Sequence, residues 1–525
     1  MRQSLATLSP AATMNATAPV QGARRYITNI LWTWLGVAVG ILFGFVVTPY
    51  VIRKIGDKQF SIWTLTLSLV EYYWLIDFGL RSATVKLSAE YHTLKNHSAL
   101  NTLVNTGLAY STIAGCAVAL FTIAFAPHAG RFFNINEPVF PELIRIIGVS
   151  WAVGLVFNIF GACIEGFQRF DIFGRIWVST TVLRTIGVVL VLNFGFGVLQ
   201  MGIVLLCSQL LVYALNYLAF RRLAPEVRIS LSLARISKLK EMASYGVHSL
   251  RVLVSDRLLR QSAPVLIPYF LPIQFLAYYS VPMRILDYLM DGIGRVGTVT
   301  TPNATQLMAT GRRAELINLG VYANRYSLAL FVPVTVFLLV FGSEIYGLWI
   351  RPDFAAQSAY LLPAFLFGHT LASSQFNSGS ILFGLGRHQT YSKMLLAEAI
   401  LTIIGMILVL PRFGLLGAAW VSNGLMALNR GGVACLLICR ELGVSAWRYA
   451  LRIYTAPCTI GVATFALLFW LKRHGLPGRN WHEIVEAGVL MIVPYALATY
   501  FFCLPVEHRA IVARRVQLIV IRARS

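Results

Sequence analysis

The sequence predicts an all-α integral membrane protein of about fourteen transmembrane helices, arranged as two six-helix lobes plus two C-terminal helices. Three observations lead to this prediction. The chain is 57% hydrophobic and 12% charged, with a mean hydropathy of +0.69, whereas soluble domains carry about 25% charged residues. Apolar runs of about 20 residues, the length that crosses a bilayer, recur along the whole chain. The two halves of the chain also resemble one another.

The first span follows a polar N-terminal tail, residues 1–26, and occupies the apolar run 27–52. This run exceeds the roughly 7–15 residues of a signal-peptide core and contains no small-residue cleavage site, so we interpret it as a retained span. Gly36, Gly40 and Gly44 recur every four residues within it. Such a ladder of small residues predicts close helix packing.

The other spans follow from the same length criterion. The first lobe, 27–220, comprises six spans: 27–52, 60–81, 104–127, 142–163, 174–193 and 198–220. The second lobe, 243–438, comprises six more: 243–268, 275–300, 323–349, 358–383, 391–410 and 415–438. Two further spans, 449–471 and 482–504, make up the predicted unit 449–504 and lie outside the duplication.

An internal duplication relates the two lobes. GACIEGFQRF (161–170) aligns with GSILFGLGRH (379–388), and Gly187 aligns with Gly405 at the same offset. Six spans per repeat is an even number, so both halves enter the membrane in the same orientation. We therefore predict lobes related by a pseudo-twofold axis along the membrane normal, with a substrate site between them and transport by alternating access.

The basic residues indicate topology rather than nucleic-acid binding. The net charge is +23, and the excess is concentrated in the inter-lobe loop 221–242 and the tail 505–525. The loop residues are Arg221, Arg222, Arg228, Arg235, Lys238 and Lys240. By the positive-inside rule, both segments and both termini are expected in the cytoplasm, where they can contact anionic membrane lipids.

Charged side chains within the predicted spans are the strongest functional signal. Each costs roughly 2.5–3.5 kcal/mol on insertion scales, so it usually faces a partner or water. Helix 8 carries Arg284, Asp287, Asp291 and Arg295. At about 100° per residue these four fall within roughly 80° of one another. That stripe cannot comfortably face lipid.

Four other spans add charges to this set. Helix 7 contributes Arg251, Asp256, Arg257 and Arg260, helix 2 contributes Glu71, Asp77 and Arg81, and Arg184 and Glu398 lie in helices 5 and 11. In helices 7 and 8 the arginines outnumber the nearby carboxylates, and arginine suits bidentate binding of phosphate oxygens. We predict a cationic, water-filled cavity, with Arg81 and Arg184 as further substrate-binding candidates and the carboxylates as candidates for ion coupling. Neutralised pairs that merely lock helices together are the alternative: Arg284–Asp287, Asp291–Arg295 and Asp77–Arg81. Asp256 and Arg260 also have the i,i+4 spacing of an ion pair on one helix.

Two further pairs of residues receive a structural interpretation. His248 and His369 are expected to be structural. Arg145 and Arg430 lie near predicted span ends, where long side chains reach the membrane interface.

No enzyme motif appears in the sequence, and the longest interior loop, 221–242, is too small for a catalytic domain. The seven cysteines all lie in apolar segments without metal-ligand spacing, so neither a metal site nor disulfides are indicated. We expect no cofactor. Coupling to a proton gradient, a sodium gradient or the membrane potential stays open.

Two stretches resemble a known family. PYVIRKIGDKQFSIWTLTLSLVEYYWLIDFGLRSATVKLSAEY (49–91) and ILFGLGRHQTYSKMLLAEAILTIIGMILVLPRFGLLGAAWVS (381–422) resemble polysaccharide-biosynthesis exporters of the O-antigen flippase type. These exporters belong to the multidrug/oligosaccharidyl-lipid/polysaccharide (MOP) exporter superfamily. The resemblance covers most of residues 25–440.

The resemblance implies a V-shaped, two-lobe transporter in the bacterial cytoplasmic (inner) membrane, with helices 1, 2, 7 and 8 lining a central cavity. The implied substrate is an undecaprenyl-diphosphate-linked oligosaccharide repeat unit for surface polysaccharide synthesis, and a glycan polymerase is a conceivable partner. A lipid II flippase, a multidrug or cation antiporter, and a non-transporting scaffold of a glycan synthesis complex remain alternatives.

Overall fold

The computed structural model describes residues 21–511 and 513–514, with side chains described except at 21–31, 33, 34, 37, 245–249 and 295–299. The described part is helical and contains no strand. The first nine α-helices are α1 Gln21–Glu71, α2 Leu80–Thr93, α3 His97–Phe132, α4 Val139–Gly166, α5 Phe170–Asn193, α6 Val198–Leu223, α7 Ile236–Phe270, α8 Phe275–Ala309 and α9 Arg313–Trp349. They are followed by α10 Pro352–Ser358, α11 Leu362–Ser373, α12 Phe376–Gly384, α13 His388–Met426, α14 Ala434–Leu442, α15 Ala446–His474 and α16 Trp481–Phe502.

The prediction of an all-α integral membrane protein is confirmed. Within the described residues, nine helical stretches are long and apolar enough to cross a membrane. Large apolar side chains cover the outside of the molecule: Ile113 is 73% exposed, Leu120 69% and Val462 70%. Water would not tolerate such a continuous apolar surface, whereas the hydrocarbon of a bilayer does.

Some helices of the structure contain two consecutive predicted spans. The run Ala38–Asp77 contains parts of spans 1 and 2, which are separated by a kink at Gly56 (φ 78°), and the kink at Gly414 (φ 57°) joins spans 11 and 12. The charged helices α7 and α8 cover predicted spans 7 and 8 but are too polar to count among the nine. Fourteen spans are compatible with this arrangement, and the exact number stays a prediction.

The aligned segments of the two halves end in the same turn. The residue before each aligned arginine has a positive φ, 56° at Gln168 and 75° at Gly386. The backbone N–H groups of Arg169 and Arg387 each donate to the carbonyl oxygen five residues earlier, at 3.1 and 2.8 Å. This bond and a left-handed residue define the same helix-ending motif in both halves. The duplication seen in the sequence therefore has a counterpart in the backbone.

Aligned glycines also occupy matching environments. A β-carbon added at Gly187 would lie 2.8 Å from Cγ1 of Val204, and one added at Gly405 would lie 2.6 Å from Cγ1 of Val421. Gly187 thus permits α5 to approach α6 closely, and Gly405 permits the same approach between the two segments of α13 on either side of the Gly414 kink, because any side chain would collide with the valine.

The glycine ladder of the first span has the predicted packing role. Gly36 and Gly40 lie against the ring of Trp177 in α5, with 3.2 Å left for an added β-carbon at each. Gly44 lies against the hydroxyl of Tyr288 in α8. The ladder therefore packs α1 against its own lobe and against the second lobe.

The inter-lobe loop is shorter than the predicted range 221–242. Helix α7 begins at Ile236, and a 3₁₀ turn occupies Leu231–Leu233. Two asparagines at the start of α3 bind the loop: Asn101 Oδ1 accepts from the N–H of Arg228 at 2.7 Å, and Asn105 Oδ1 accepts from that of Ser230 at 2.8 Å. The loop is thus fastened to the first lobe.

Candidate functional site

A polar cavity of about 670 Å³ lies in the helical interior. Thr64 and Ser68 of α1 form its wall on the first-lobe side. The rest of the lining comes from α7, α8, α11, α12, α13 and the π-helical segment Ala427–Val433. The charged and titratable side chains of the lining are Asp256, Arg260, Arg284, Asp287, Asp291, His369, Glu398 and Arg430, together with the tyrosines Tyr279 and Tyr288. Of the predicted helices 1, 2, 7 and 8, the last three contribute to this lining, whereas no residue of helix 1 (27–52) is among the described lining residues; the later helices of the second lobe supply the rest.

Arg260 lies at the centre of the acidic side chains of this cavity. Its Nε donates to Oδ1 of Asp256 at 2.9 Å, one turn earlier on α7. Across to α8, its Nη1 is 3.8 Å from Oδ1 of Asp287 and its Nη2 is 3.4 Å from Oδ1 of Asp291. Three carboxylates thus share one guanidinium, and the predicted i,i+4 pair of α7 is part of a larger network.

Arg284 differs from the other arginines of the lining. It borders the large cavity and also a small crevice between α1 and α8, beside Gly44, Ser280 and Tyr288. No ion pair or side-chain hydrogen bond of Arg284 occurs within the described part of the chain, and the expected pair with Asp287 does not form. A guanidinium at membrane depth needs water or an anion as its partner. Arg284 is therefore available to a ligand.

The remaining basic residues of α7 and α5 lie away from the cavity lining. Arg257 forms an ion pair with Glu71 at the end of α1, which ties α7 to the first lobe. Arg251 is exposed, and Arg184 is half-buried in α5. Neither has an ion pair among the described residues. Arg295, like His248, belongs to the residues whose side chains lie outside the described part.

Arg81 and Asp77 form a separate polar group in the first lobe. The backbone N–H of Arg81 donates to Oδ2 of Asp77 at 3.0 Å, but the guanidinium turns to Glu165 of α4, with Nη2 at 2.5 Å from Oε1. The expected side-chain pair of Asp77 with Arg81 is thus replaced by a link between helices. Both residues border a crevice of only about 10 Å³, so they are not part of the large cavity.

Glu398 and Arg430 form a buried ion pair in the cavity wall. Arg430 Nε lies 3.0 Å from Oε1 of Glu398, and Asn429 Nδ2 donates to Oε2 at 2.7 Å. The position of Arg430 near a predicted span end predicts a side chain at the membrane interface. That expectation is wrong, because the π-helical segment Ala427–Val433 carries this residue at cavity level, opposite Glu398. Helical segments of this kind are frequent at functional sites.

Removing the carboxylate of this pair is expected to destabilise the protein. Only 1% of the Glu398 side chain is exposed, against 30% for Arg430. Breaking a fully buried pair costs about 3–5 kcal/mol. Because Arg430 keeps some hydration, we expect Glu398→Gln to lower the free energy of unfolding by about 2–4 kcal/mol. Denaturant titration in detergent measures this change.

The double variant Glu398→Gln/Arg430→Gln is the matched control for that measurement. It leaves no unpaired charge, so most of the lost stability should return. An unfolding midpoint of Glu398→Gln equal to that of the unaltered protein would contradict the assignment of a stabilising pair.

A set of contacts joins the two lobes beside the cavity residue Thr64. We call it the interlobe latch. On α1 it comprises Arg53, Asp57 and Ser61, which precede the cavity residue Thr64 on the same helix; on the second lobe it comprises Gln274, Ala277, Tyr278 and 348–351.

The guanidinium of Arg53 supplies three of the bonds of the latch. It donates to the carbonyl oxygens of Ile350 at 2.6 Å, Trp349 at 3.0 Å and Leu348 at 3.1 Å. Terminal carbonyls of a helix have no partner within the helix and carry a partial negative charge, so a cation binds them well.

Asp57 and Ser61 supply the other bonds. Asp57 pairs with Arg351 and accepts from the hydroxyl of Tyr278 at 2.8 Å. The backbone N–H of Ala277 donates to Oγ of Ser61 at 3.0 Å. The latch thus joins α1 directly to the start of α8 and the end of α9.

The charge balance of the cavity differs from the sequence-based expectation. Its described lining contains three arginines and four carboxylates, because Arg251 and Arg257 lie elsewhere. The expected surplus of arginine is thus not found among the described residues. Since the carboxylates cluster at Arg260 and Arg430, Arg284 nevertheless has no ion pair within the part of the chain that the structure describes.

Known proteins resemble this chain along most of its length. Residues 26–308, more than half of the chain, match the family model described as "Polysaccharide biosynthesis protein". "Uncharacterized membrane protein MJ1068" of Methanocaldococcus jannaschii is 24% identical over 361 residues, covering 65% of this chain and 70% of that protein. The "Putative O-antigen transporter" of Shigella flexneri is 18% identical over 399 residues, covering 75% and 93%.

Among solved structures, the fold is similar to that described as "Lipid II flippase MurJ, inward closed conformation". The TM-score is 0.68 at 11% identity, and the match covers 91% of this chain and 98% of the other. At this level of identity the likeness concerns the fold alone.

Proposed function

This chain belongs to the polysaccharide biosynthesis protein family, a family of membrane transporters, and we propose that it is a flippase for an undecaprenyl-diphosphate-linked oligosaccharide repeat unit. It would carry this unit across the cytoplasmic membrane by alternating access, for the synthesis of a surface polysaccharide. Both termini would lie in the cytoplasm, where the basic loop and tail can contact anionic lipids and a glycan polymerase can receive the product on the other side.

The observation that carries this proposal is the guanidinium of Arg284, which borders a polar cavity between the helices and has no ion pair or side-chain hydrogen bond among the described residues. A diphosphate headgroup offers several anionic oxygens, and arginine binds such oxygens in a planar, bidentate geometry. Moving that headgroup through hydrocarbon without replacing its hydration would be prohibitively costly. Arg284 supplies part of the replacement.

The other walls suit the glycan part of such a substrate. Hydroxyl and amide groups of Thr64, Ser68, Gln261, Ser280 and Asn423 border the same cavity. The volume of about 670 Å³ lies within the range of roughly 300–1,000 Å³ that small-molecule sites occupy. It suits a headgroup with part of its glycan, while the apolar polyprenyl chain can stay in the bilayer.

The acidic cluster around Arg260 favours a second candidate. Among the described residues, four carboxylates and three arginines border the cavity, and such a lining can also attract a cation. Cation or drug antiport is therefore the competing function.

A lipid II flippase is the nearest alternative within the same kind of transport. Lipid II carries the same undecaprenyl diphosphate as the proposed substrate and differs from it in the glycan.

Lipid extracts of cells that lack this protein test the proposal. We expect prenyl-diphosphate-linked repeat units to accumulate and surface polysaccharide to be lost, with both restored by a plasmid copy. Accumulated lipid II would assign the peptidoglycan precursor instead. Unchanged glycan together with altered resistance to cationic drugs would contradict flipping and support antiport.

A further inference from the structure

Three helix ends of the second half of the chain meet at one corner of the protein. Near the start of α9, Arg325 donates from Nε to the carbonyl oxygen of Arg452 in α15 at 2.7 Å, and from Nη1 to that of Cys503, directly after α16, at 3.2 Å. Arg452 in turn donates from Nη2 to Oδ1 of Asn318 on α9 at 2.9 Å. By the positive-inside rule all three ends are expected in the cytoplasm, so we expect this corner at the cytoplasmic surface of the membrane.

The positive charges at this corner have no acidic partner. We call Arg325, Arg448 and Arg452 the basic corner. Arg325 and Arg452 bond to carbonyl and amide oxygens, which carry no net charge, and the guanidinium of Arg448 has no hydrogen bond within the described part of the chain. That part includes all 21 aspartates and glutamates of the sequence, and none of them forms an ion pair with these arginines. Glu315, on the first turn of α9, pairs with Arg312 instead.

The basic corner is accessible from outside the protein. Arg448 and Arg452 are exposed and lie one turn apart on α15, and the neighbouring Trp447 is 72% exposed. Tryptophan is enriched where the hydrocarbon of a membrane meets the headgroups. Among the described residues that border the large cavity, none belongs to α9 or α15. This surface is therefore separate from the site proposed for the substrate headgroup.

The ligand that suits this surface is a phosphate group that carries a net negative charge. Arginine binds phosphate oxygens in a planar, bidentate geometry. Basic pockets between transmembrane helices on the cytoplasmic side bind anionic lipid headgroups. In phosphatidylcholine the trimethylammonium group balances the phosphate, so an anionic phospholipid should bind more tightly.

We propose that the basic corner is a binding site for the headgroup of an anionic phospholipid of the cytoplasmic leaflet. Its acyl chains would lie on the adjoining apolar surface, where Leu451 is 44% exposed. The lipid phosphate contacts Arg448 and Arg452, while Arg325 adds charge and keeps α9, α15 and the end of α16 together. The bound lipid thus fixes the depth in the bilayer of the two C-terminal helices, which lie outside the duplication.

Native mass spectrometry of the purified full-length protein tests this site. The protein, in detergent, is titrated with dioleoylphosphatidylglycerol and separately with dioleoylphosphatidylcholine, which has the same acyl chains. Each arginine near a membrane surface contributes about fivefold to the affinity for an anionic lipid. We therefore expect phosphatidylglycerol to bind about tenfold more tightly than phosphatidylcholine or better. Arg448→Gln/Arg452→Gln should weaken its binding roughly 10- to 30-fold and change that of phosphatidylcholine much less.

A single variant keeps the test valid if the double variant fails to fold. Arg448→Gln breaks no hydrogen bond within the described part of the chain and should weaken phosphatidylglycerol binding about fivefold. Arg412→Gln/Arg479→Gln is the matched control. It also removes two positive charges at exposed positions, but at span ends that are predicted to lie on the opposite side of the membrane. Its affinity for phosphatidylglycerol should equal that of the unaltered protein.

Three results would overturn the inference. The first is equal affinity of the unaltered protein for the two lipids, and the second is undiminished phosphatidylglycerol binding by Arg448→Gln/Arg452→Gln. The third is an equal loss in Arg412→Gln/Arg479→Gln, because total charge rather than the basic corner would then determine binding. Accumulation of repeat units in cells that lack the protein does not depend on any of these results, so the lipid site and the flippase assignment are tested separately.

Discussion

Replacing Arg284 with alanine is expected to abolish transport while leaving the protein folded. Arg284 makes no ion pair within the described part of the chain, so its loss leaves no carboxylate unpaired. What is lost is the contact with the headgroup. A hydrogen bond to a charged group contributes about 1.5–3 kcal/mol, which corresponds to roughly a 10- to 100-fold loss of affinity. In cells that depend on a plasmid copy, we expect lipid-linked repeat units to accumulate and surface glycan to disappear.

Two further variants make this result specific. Arg284→Lys keeps the charge but loses the planar, bidentate geometry, so it should retain partial transport. Arg145→Ala is the matched control, because Arg145 pairs with Glu142 one turn away on the surface of α4. Surface pairs of this kind contribute about 0–1 kcal/mol, and full transport is expected. Normal transport by a well-expressed Arg284→Ala protein would mean that Arg284 does not bind the substrate.

A disulfide across the interlobe latch is expected to stop transport reversibly. Because the N–H of Ala277 lies 3.0 Å from Oγ of Ser61, cysteines at these two positions should be close enough to pair. The latch joins the two lobes, and we expect its contacts to part when the lobes move relative to one another in alternating access. The oxidised double variant Ser61→Cys/Ala277→Cys should therefore lose transport almost completely, and a reductant should restore it.

The single variants Ser61→Cys and Ala277→Cys are the controls for that experiment. They contain the seven native cysteines, three of which are exposed, and so report any effect of oxidation elsewhere. Mass spectrometry establishes whether the cross-link has formed. Undiminished transport by fully cross-linked protein would show that the latch does not open during the cycle.

The helical fold could be predicted from the hydrophobic pattern, because the length of each apolar run and the internal repeat can both be recognised in the sequence without knowing any contact between helices. The aligned glycines are an example: Gly187 and Gly405 were matched by offset alone, and each packs against a valine of the next helical segment, which for Gly405 lies beyond the kink of α13. The broken helices were harder to foresee. The left-handed residues Phe78 and Gly79 end a 3₁₀ segment within the predicted second span, and the apolar run around them gives no sign of the break.

The candidate site was predictable only in part. Helical periodicity placed Arg284, Asp287 and Asp291 on one stripe, and all three line the cavity. The choice of partners depends on contacts between helices far apart in sequence, so the link from Arg81 to Glu165 and the role of Arg430 were missed. One signal could have identified Arg430: Glu398 is an acidic residue in an apolar span, and Arg430 is the basic residue of the next span.

Reconstituted transport is the most direct test of the central claim, that the Arg284 cavity carries a lipid-linked diphosphate glycan across the membrane. Repeat units extracted from cells lacking the protein would be placed in liposomes, and a membrane-impermeant reagent that oxidises sugars would report the exposed fraction over time. We predict rapid exposure of the inner-leaflet pool with the unaltered protein, and a rate near that of empty liposomes with Arg284→Ala. Equal rates in empty liposomes and in those containing the unaltered protein would contradict the account.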